Sequence, residues 1–141
     1  MAAKIIDGKA IANKIRSSLK EDIKRLSKER GFVPGLAVIL VGKDPASQVY
    51  VRNKEKACKE IGIESRVIYM DQDISQDTLL QEIHKLNNDK DIHGILVQLP
   101  LPSHIDQDAV ISAIDPKKDV DGFHPLTIGK LFVGQKGFEP C

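Results

Sequence analysis

Leu36-Ala-Val-Ile-Leu-Val41, followed at once by Gly42-Lys-Asp-Pro-Ala-Ser47, decides the architecture. An unbroken apolar run of this kind reads as a strand buried on both faces, the pattern of a parallel sheet. Behind it the chain turns. Asp44 can cap a helix, and Pro45 suits the first helical position. A helix is therefore predicted from about Pro45 to Ile61, stopped by Gly62.

The same grammar extends in both directions. Upstream, Asp7 suits an N-cap, and Ile11, Ile15, Leu19, Ile23 and Leu26 fall at steps of four and three, one stripe on a helix. Gly31 and Pro34 end it, and its Lys- and Glu-rich face is solvent-facing. Downstream, Glu64–Met70 reads as a second strand. Asp73 with Gln76 offers a capping pair for a third helix, whose buried stripe is Leu79, Leu80, Ile83 and Leu86. Gly94–Leu99 is a third strand, ended by Leu99-Pro-Leu-Pro102, which no interior strand or helix accommodates. A fourth helix spans roughly Ile105–Ile114. A polar loop, Pro116–Pro125, follows, and Leu126–Cys141 is weakly patterned. Strand and helix alternate, which predicts an α/β three-layer sandwich with a mainly parallel sheet and helices on both faces. Residues 1–141 are read as one domain, without repeats or low-complexity segments.

Composition excludes several function classes. The 141 residues are 41% hydrophobic and 29% charged, a globular balance. Twenty-one basic against 20 acidic residues leave a net charge of +1, so the broad basic field of a nucleic-acid binder is missing. With 4% aromatic residues and no Trp, a row of base-stacking platforms is not expected. Cys58 and Cys141 form no Cys-x-x-Cys pair, and both are read as reduced thiols. His84, His93, His104 and His124 show no metal-binding spacing, so no metal is expected. No apolar run approaches the length of a membrane span. The N-terminal segment resembles neither a secretion signal nor a transit peptide, so no membrane partner and a cytoplasmic location are expected. No Gly-x-Gly-x-x-Gly or P-loop pattern occurs, and no nucleotide-phosphate cradle is predicted.

Open parallel sheets bind ligands beyond the carboxyl ends of their strands. Gly42–Ser47, Asp71–Asp73 and Gln98–Pro102 leave those ends, and the Lys117–Pro125 loop can join them. Two prolines fix the backbone of Leu99–Pro102. Asp119 and Asp121 set two carboxylates beside a permissive glycine. On the second helix Tyr50 and Lys54 are four apart and share a face, which Cys58 and Ile61 continue toward the core. A lysine desolvated at the mouth of a cleft is a usable proton acceptor near neutral pH. A tyrosine adds a flat face and one hydrogen-bonding tip. Each feature also has an ordinary interpretation. Tyr50 and Lys54 can be plain surface, Gln98 a loop amide, Asp119 and Asp121 turn acids, Leu99–Pro102 a strand terminator. His124 reads as a loop histidine, and Lys9, Lys117 and Lys118 as solvated charges.

In combination the segments are more specific. Val49-Tyr-Val-Arg-Asn-Lys-Glu-Lys-Ala57 resembles the first signature of the methylenetetrahydrofolate dehydrogenase/cyclohydrolase family. Gly94-Ile-Leu-Val-Gln-Leu-Pro-Leu-Pro102 and Pro116-Lys-Lys-Asp-Val-Asp-Gly-Phe-His-Pro125 are similar to the next two. Gly42–Ser47 and Phe138–Cys141 also match the family pattern. The likeness runs over essentially the whole chain, in order, with no departure at the functional positions. Members of this family are about twice as long, and their second half is a Rossmann-type domain that binds NADP, sometimes NAD. The resemblance therefore implies that this chain is the folate-binding catalytic half of a longer protein, with the cofactor held mainly by the other half.

The resemblance implies an activity and a set of roles. Family members oxidise 5,10-methylenetetrahydrofolate to the methenyl cation and hydrolyse that cation to 10-formyltetrahydrofolate, in one-carbon supply for purine biosynthesis. Lys54 is the implied central catalytic group. Tyr50 stacks on the pterin, Gln98 orients Lys54 and folate, and Asp121 takes the guanidine-like pterin edge. Val97, Leu99 and Pro100 contribute to the substrate pocket. Full-length relatives are generally homodimers, and this half alone can be monomeric. Three other readings stay open: a half that binds folate without turnover, a doubly wound signalling or scaffold domain around Asp71 and Asp73, and, inside the same family, a specialisation to the dehydrogenase or the cyclohydrolase activity alone.

Overall fold

Alternation along β1 (Gly35–Val41) builds the two sides of the molecule. In the computed structural model, which describes residues 5–140, Ala37, Ile39 and Val41 point to one face and Val38 and Leu40 to the other; none is more than 4% exposed. β2 (Glu64–Met70) and β3 (Gly94–Val97) flank β1 in the order β2-β1-β3, both parallel to it. α2 (Pro45–Ile61) covers the Val38/Leu40 face and places Val51 against Leu96 of β3. α3 (Gln76–Asn88) and α4 (Gln107–Ala113) cover the other face with Leu79, Ile83, Leu86 and Val110. Burying side chains of this size stabilises by about 1.5–3 kcal/mol each. The predicted parallel sheet with helices on both faces is the observed one.

Helix ends follow local chemistry. Asp44 caps α2 by accepting from the Ser47 amide at 2.7 Å, Pro45 sits in the first turn, and Gly62 closes the helix at φ +90°. α1 (Gly8–Arg30) starts at Asp7, which accepts from the Ala10 amide at 2.9 Å, and ends at Gly31. Its apolar stripe differs from the expectation of a core-facing face. Ile11, Ile15 and Leu19 are exposed, and only Ile23 and Leu26 are partly covered. The reason is geometric: α1 rests on α2, and the hollow between them is lined from Lys20 onward on the α1 side.

Four further boundaries shift. The cap of α3 is Ser75, not Asp73: the Ser75 hydroxyl accepts from the Thr78 amide at 3.1 Å. Gln76 instead accepts from the Asp106 amide at 2.7 Å, tying α3 to the start of α4. β3 ends at Val97, two residues early, as the chain bends toward the Leu99–Pro102 segment. α4 starts at Gln107 because Asp106 caps it, accepting from the Asp108 and Ala109 amides. The weakly patterned tail contains α5 (Pro125–Phe132), with Pro125 in its first turn. His124 is its N-cap rather than a plain loop residue, since its Nδ1 accepts from the Leu126 amide at 3.0 Å.

Lys118 is likewise no solvated charge. Its Nζ donates to the Leu86 and Asp89 carbonyls at 2.9 and 2.7 Å and caps the C-terminal end of α3. Among the described residues no helix is long and apolar enough to cross a membrane. Cys58 is a free, buried thiol, and burial pushes it above the ordinary thiol range. Cys141 lies outside the described residues.

Candidate functional site

The parity that sorts the core also sorts the site. Ile95 and Val97 of β3 point toward α3 and α4, and Leu96 points toward α2. Gln98, one residue past the strand, therefore falls on the α2 side, anchored by its amide donating to the Ile39 carbonyl at 2.9 Å. There it meets Lys54, whose Nζ donates to Gln98 Oε1 at 2.9 Å. The Gln98 Nε2 donates onward to the Leu99 carbonyl at 2.8 Å, which fixes the amide with its oxygen toward the lysine. Tyr50, one helical turn before Lys54, holds its ring 5.9 Å from the Lys54 nitrogen, at the outer reach of a cation–π contact. The residue is 61% exposed, leaving an open aromatic side chain beside the ammonium.

Lys54 is thus held at the rim of the sheet by an anchored helix. Val51, Cys58 and Ile61 on the same helix are buried. The next segment to reach this corner is the loop after α4. Asp121 is half-buried there, and burial pushes its carboxyl above the ordinary carboxylate range. The Lys54 charge pulls it down and the neighbouring Asp119 pushes it further up. Tyr50, Lys54 and Gln98 therefore meet at one corner, and Asp121, from a distant loop, lies near enough for the Lys54 charge to act on it: a cation with a fixed amide, an aromatic face and a carboxylate. Such a corner can bind a flat polar ring and move a proton at one of its atoms.

The remaining predicted residues divide. Leu99 contributes its carbonyl, which orients Gln98. Pro100 lies in a neighbouring hollow of about 370 Å³ over the ends of β1 and β3, with Gly42, Asp44 and Gln72. The Val97 side chain is not brought to the corner, because it packs into the α3/α4 core on the opposite face. From the sequence Asp119 reads as one of a carboxylate pair and Ser47 only as the end of the Gly42–Ser47 segment, with no role given to either. Ser47 is buried and its hydroxyl donates toward the Leu99 carbonyl at 3.5 Å, the outer limit of a hydrogen bond. Its only sequence signal is the first turn after an Asp-Pro start.

A dinucleotide cofactor is a different matter. The described helix N-termini that could cradle a phosphate are filled by their own caps, three of them carboxylates at Asp7, Asp44 and Asp106. The Ser47 amide holds Asp44 below the ordinary carboxylate range, so it stays anionic and repels a phosphate. The described residues do not fit the phosphates of NADP. Among them, no three His, Cys, Asp or Glu side chains gather in a way that could hold a metal ion.

Comparison with known proteins places this geometry. A family model described as tetrahydrofolate dehydrogenase/cyclohydrolase, catalytic domain, matches residues 6–121. The bifunctional protein FolD of Halothermothrix orenii is 61% identical over 140 residues, which cover 98% of this chain and 49% of that protein. The crystal structure of the bifunctional methylenetetrahydrofolate dehydrogenase/cyclohydrolase from Campylobacter jejuni superposes with a TM-score of 0.96 at 51% identity, covering 99% of this chain and 50% of that one. The Trypanosoma brucei methylenetetrahydrofolate dehydrogenase-cyclohydrolase, solved with NADP cofactor and inhibitor, gives a TM-score of 0.90 at 39% identity, over 94% of this chain and 46% of that one. The chain spans about half the length of the curated relatives it matches. The matched segment holds Tyr50, Lys54, Gln98 and Asp121 alike, and on these grounds the chain belongs to the tetrahydrofolate dehydrogenase/cyclohydrolase family.

Proposed function

We propose that this chain is the folate-binding catalytic half of an enzyme that oxidises 5,10-methylenetetrahydrofolate with NADP and hydrolyses the resulting methenyl cation to 10-formyltetrahydrofolate. One observation carries the reading: the hydrogen bond from Lys54 Nζ to Gln98 Oε1, with Asp121 in the same corner beyond the strand ends. The four groups suit a reduced pterin. Tyr50 offers the stacking face, and Asp121 an acceptor for the amino and ring N–H edge. Gln98 fixes where the lysine points.

In hydrolysis, Lys54 as a neutral amine takes one proton from water while the water oxygen adds to the methenyl carbon. The ring then opens: the bond from that carbon to N5 breaks, the new hydroxyl becomes the formyl carbonyl by releasing its proton to solvent, and the lysine returns its own proton to N5. The product keeps the formyl group on N10. In oxidation, a nicotinamide would supply the hydride-accepting chemistry when bound. This chain's part in that step is to align the folate. NADP belongs to residues outside this chain, in keeping with the filled helix N-termini here.

A second reading has its own support. Tyr50 is largely exposed, so the corner is walled on one side. A half that binds folate without turnover fits that openness. Titration of the 141-residue chain with 5-formyltetrahydrofolate, a stable reduced folate, followed by amide NMR shifts, tests the shared premise. Shifts converging on Tyr50, Lys54, Gln98 and Asp121 are the expected result. A folded chain with no shifts there would overturn it. If the folate binds, loss of absorbance of the methenyl compound decides between turnover and binding alone.

A further inference from the structure

Asp119 is 2% exposed, yet it faces no cation within salt-bridge reach among the described residues. Its two oxygens are met by three donors instead. Oδ1 accepts from the Gly122 amide at 3.0 Å. Oδ2 accepts from the His124 amide at 3.0 Å and from the Thr127 hydroxyl at 3.1 Å. Thr127, itself buried, lies in the first turn of α5, where a carboxylate also suits the helix dipole. On its other side the Asp119 backbone is tied to the sheet. The Ile95 amide donates to the Lys118 carbonyl at 2.8 Å, and Asp119 forms a parallel bridge with Ile95. The loop between α4 and α5 is thus tied by one residue to β3 on one side and to the start of α5 on the other.

We infer that Asp119 is the positioning residue of this site, its buried carboxylate fixing the loop that presents Asp121 to Lys54. Hydrophobic burial does not set this loop. Val120 and Phe123, on either side of Asp121, remain 44% and 41% exposed. Val120 rests one methyl over Gly94, where an added Cβ would collide with it. The loop instead passes through Gly122 at φ +73°, where an added Cβ would meet the Phe138 carbonyl at 2.9 Å. A loop with exposed apolar residues and a left-handed turn holds one shape because polar groups hold it. Asp119 touches no folate in this scheme, and its effect passes through the Asp121 backbone.

The inference rests on the proposed folate site and is tested in the same titration. Asp119→Asn keeps the shape but loses an acceptor, and Thr127→Val removes one donor without changing charge. Expected are faster hydrogen exchange at the Gly122 and His124 amides in both variants, with the β1 amides unchanged. The dissociation constant for 5-formyltetrahydrofolate should rise about fivefold for Thr127→Val, the worth of one neutral hydrogen bond, and about tenfold or more for Asp119→Asn. Thr127→Ser, which restores the hydroxyl, should restore the affinity. Wild-type binding with unchanged affinity in both folded variants would overturn the positioning role and leave the folate site standing. Equal weakening by Thr127→Ser and Thr127→Val, the mark of a merely packed side chain, would overturn it too. A wild-type chain that binds no folate overturns the site itself, and this inference with it.

Discussion

Asp121 stands under opposed influences, and each can be removed singly. Burial and Asp119 push its carboxyl up; Lys54 pulls it down. Lys54→Met should therefore raise the Asp121 titration further, read from its carboxyl carbon by NMR, and a fall would place the lysine charge elsewhere. Because the folded value lies above the free value, Asp121 favours the fold most when protonated. That contribution is complete below the ordinary Asp range and is lost as pH rises through the raised value. Folate binding asks for the opposite form, so affinity should fall on acidification earlier than a free aspartate would dictate. Asp121→Asn should melt no lower than wild type at neutral pH, while the folate dissociation constant rises roughly ten- to hundredfold, from about 1.5–3 kcal/mol for a charged hydrogen bond. Lys54, Tyr50 and Gln98 were legible from helical spacing and strand ends together with the family signatures. Asp119 was visible as one of two carboxylates beside Gly122 or as a turn acid, but not as a clamp, because one closed by two backbone amides leaves no side-chain pattern beyond Thr127. The Val97 side chain lies on the other face, as alternation along the strand already implies.

At the scale of elements, caps decide boundaries and hydrophobic periodicity only brackets them. Asp73 and Ser75 both precede α3 and both are good capping residues; the chain uses Ser75, whose hydroxyl reaches the Thr78 amide. Ser75→Ala should lower stability by about 1 kcal/mol, and Asp73→Ala by far less, measured by urea unfolding. The reverse order would return the cap to Asp73. α2 is the best-read element because Asp44, Pro45 and Gly62 punctuate it unambiguously. α5 escaped because its apolar residues Leu126, Ile128 and Phe132 are exposed and give little core-facing signal. Its Pro125 start was in plain view.

For the molecule as a whole, the sheet and both covering layers were legible, since each rests on dense local patterns around Leu36–Val41. The role of α1 was not, because periodicity reports which face is apolar and not what covers it. Ile15 on that face is 54% exposed, whereas Ile23 is partly buried and lines the hollow against α2 with Gly62. Ile15→Glu should leave the stability of this chain within about 0.5 kcal/mol of wild type, as surface changes do. Ile23→Glu should lower the melting temperature clearly. A large loss from Ile15→Glu would show that its face is covered in solution.

The parity of β3 has one more implication. Gln98 reaches Lys54 only because Val97 pairs with Ile39 and the next amide bonds to the Ile39 carbonyl. A slip of one residue would send Gln98 among the leucines and isoleucines beneath α3 and turn a core side chain out toward the lysine. Ligand affinity is therefore a proofreading signal for strand alignment: a chain that has zipped β3 out of step forfeits its binding corner at the same moment as its core.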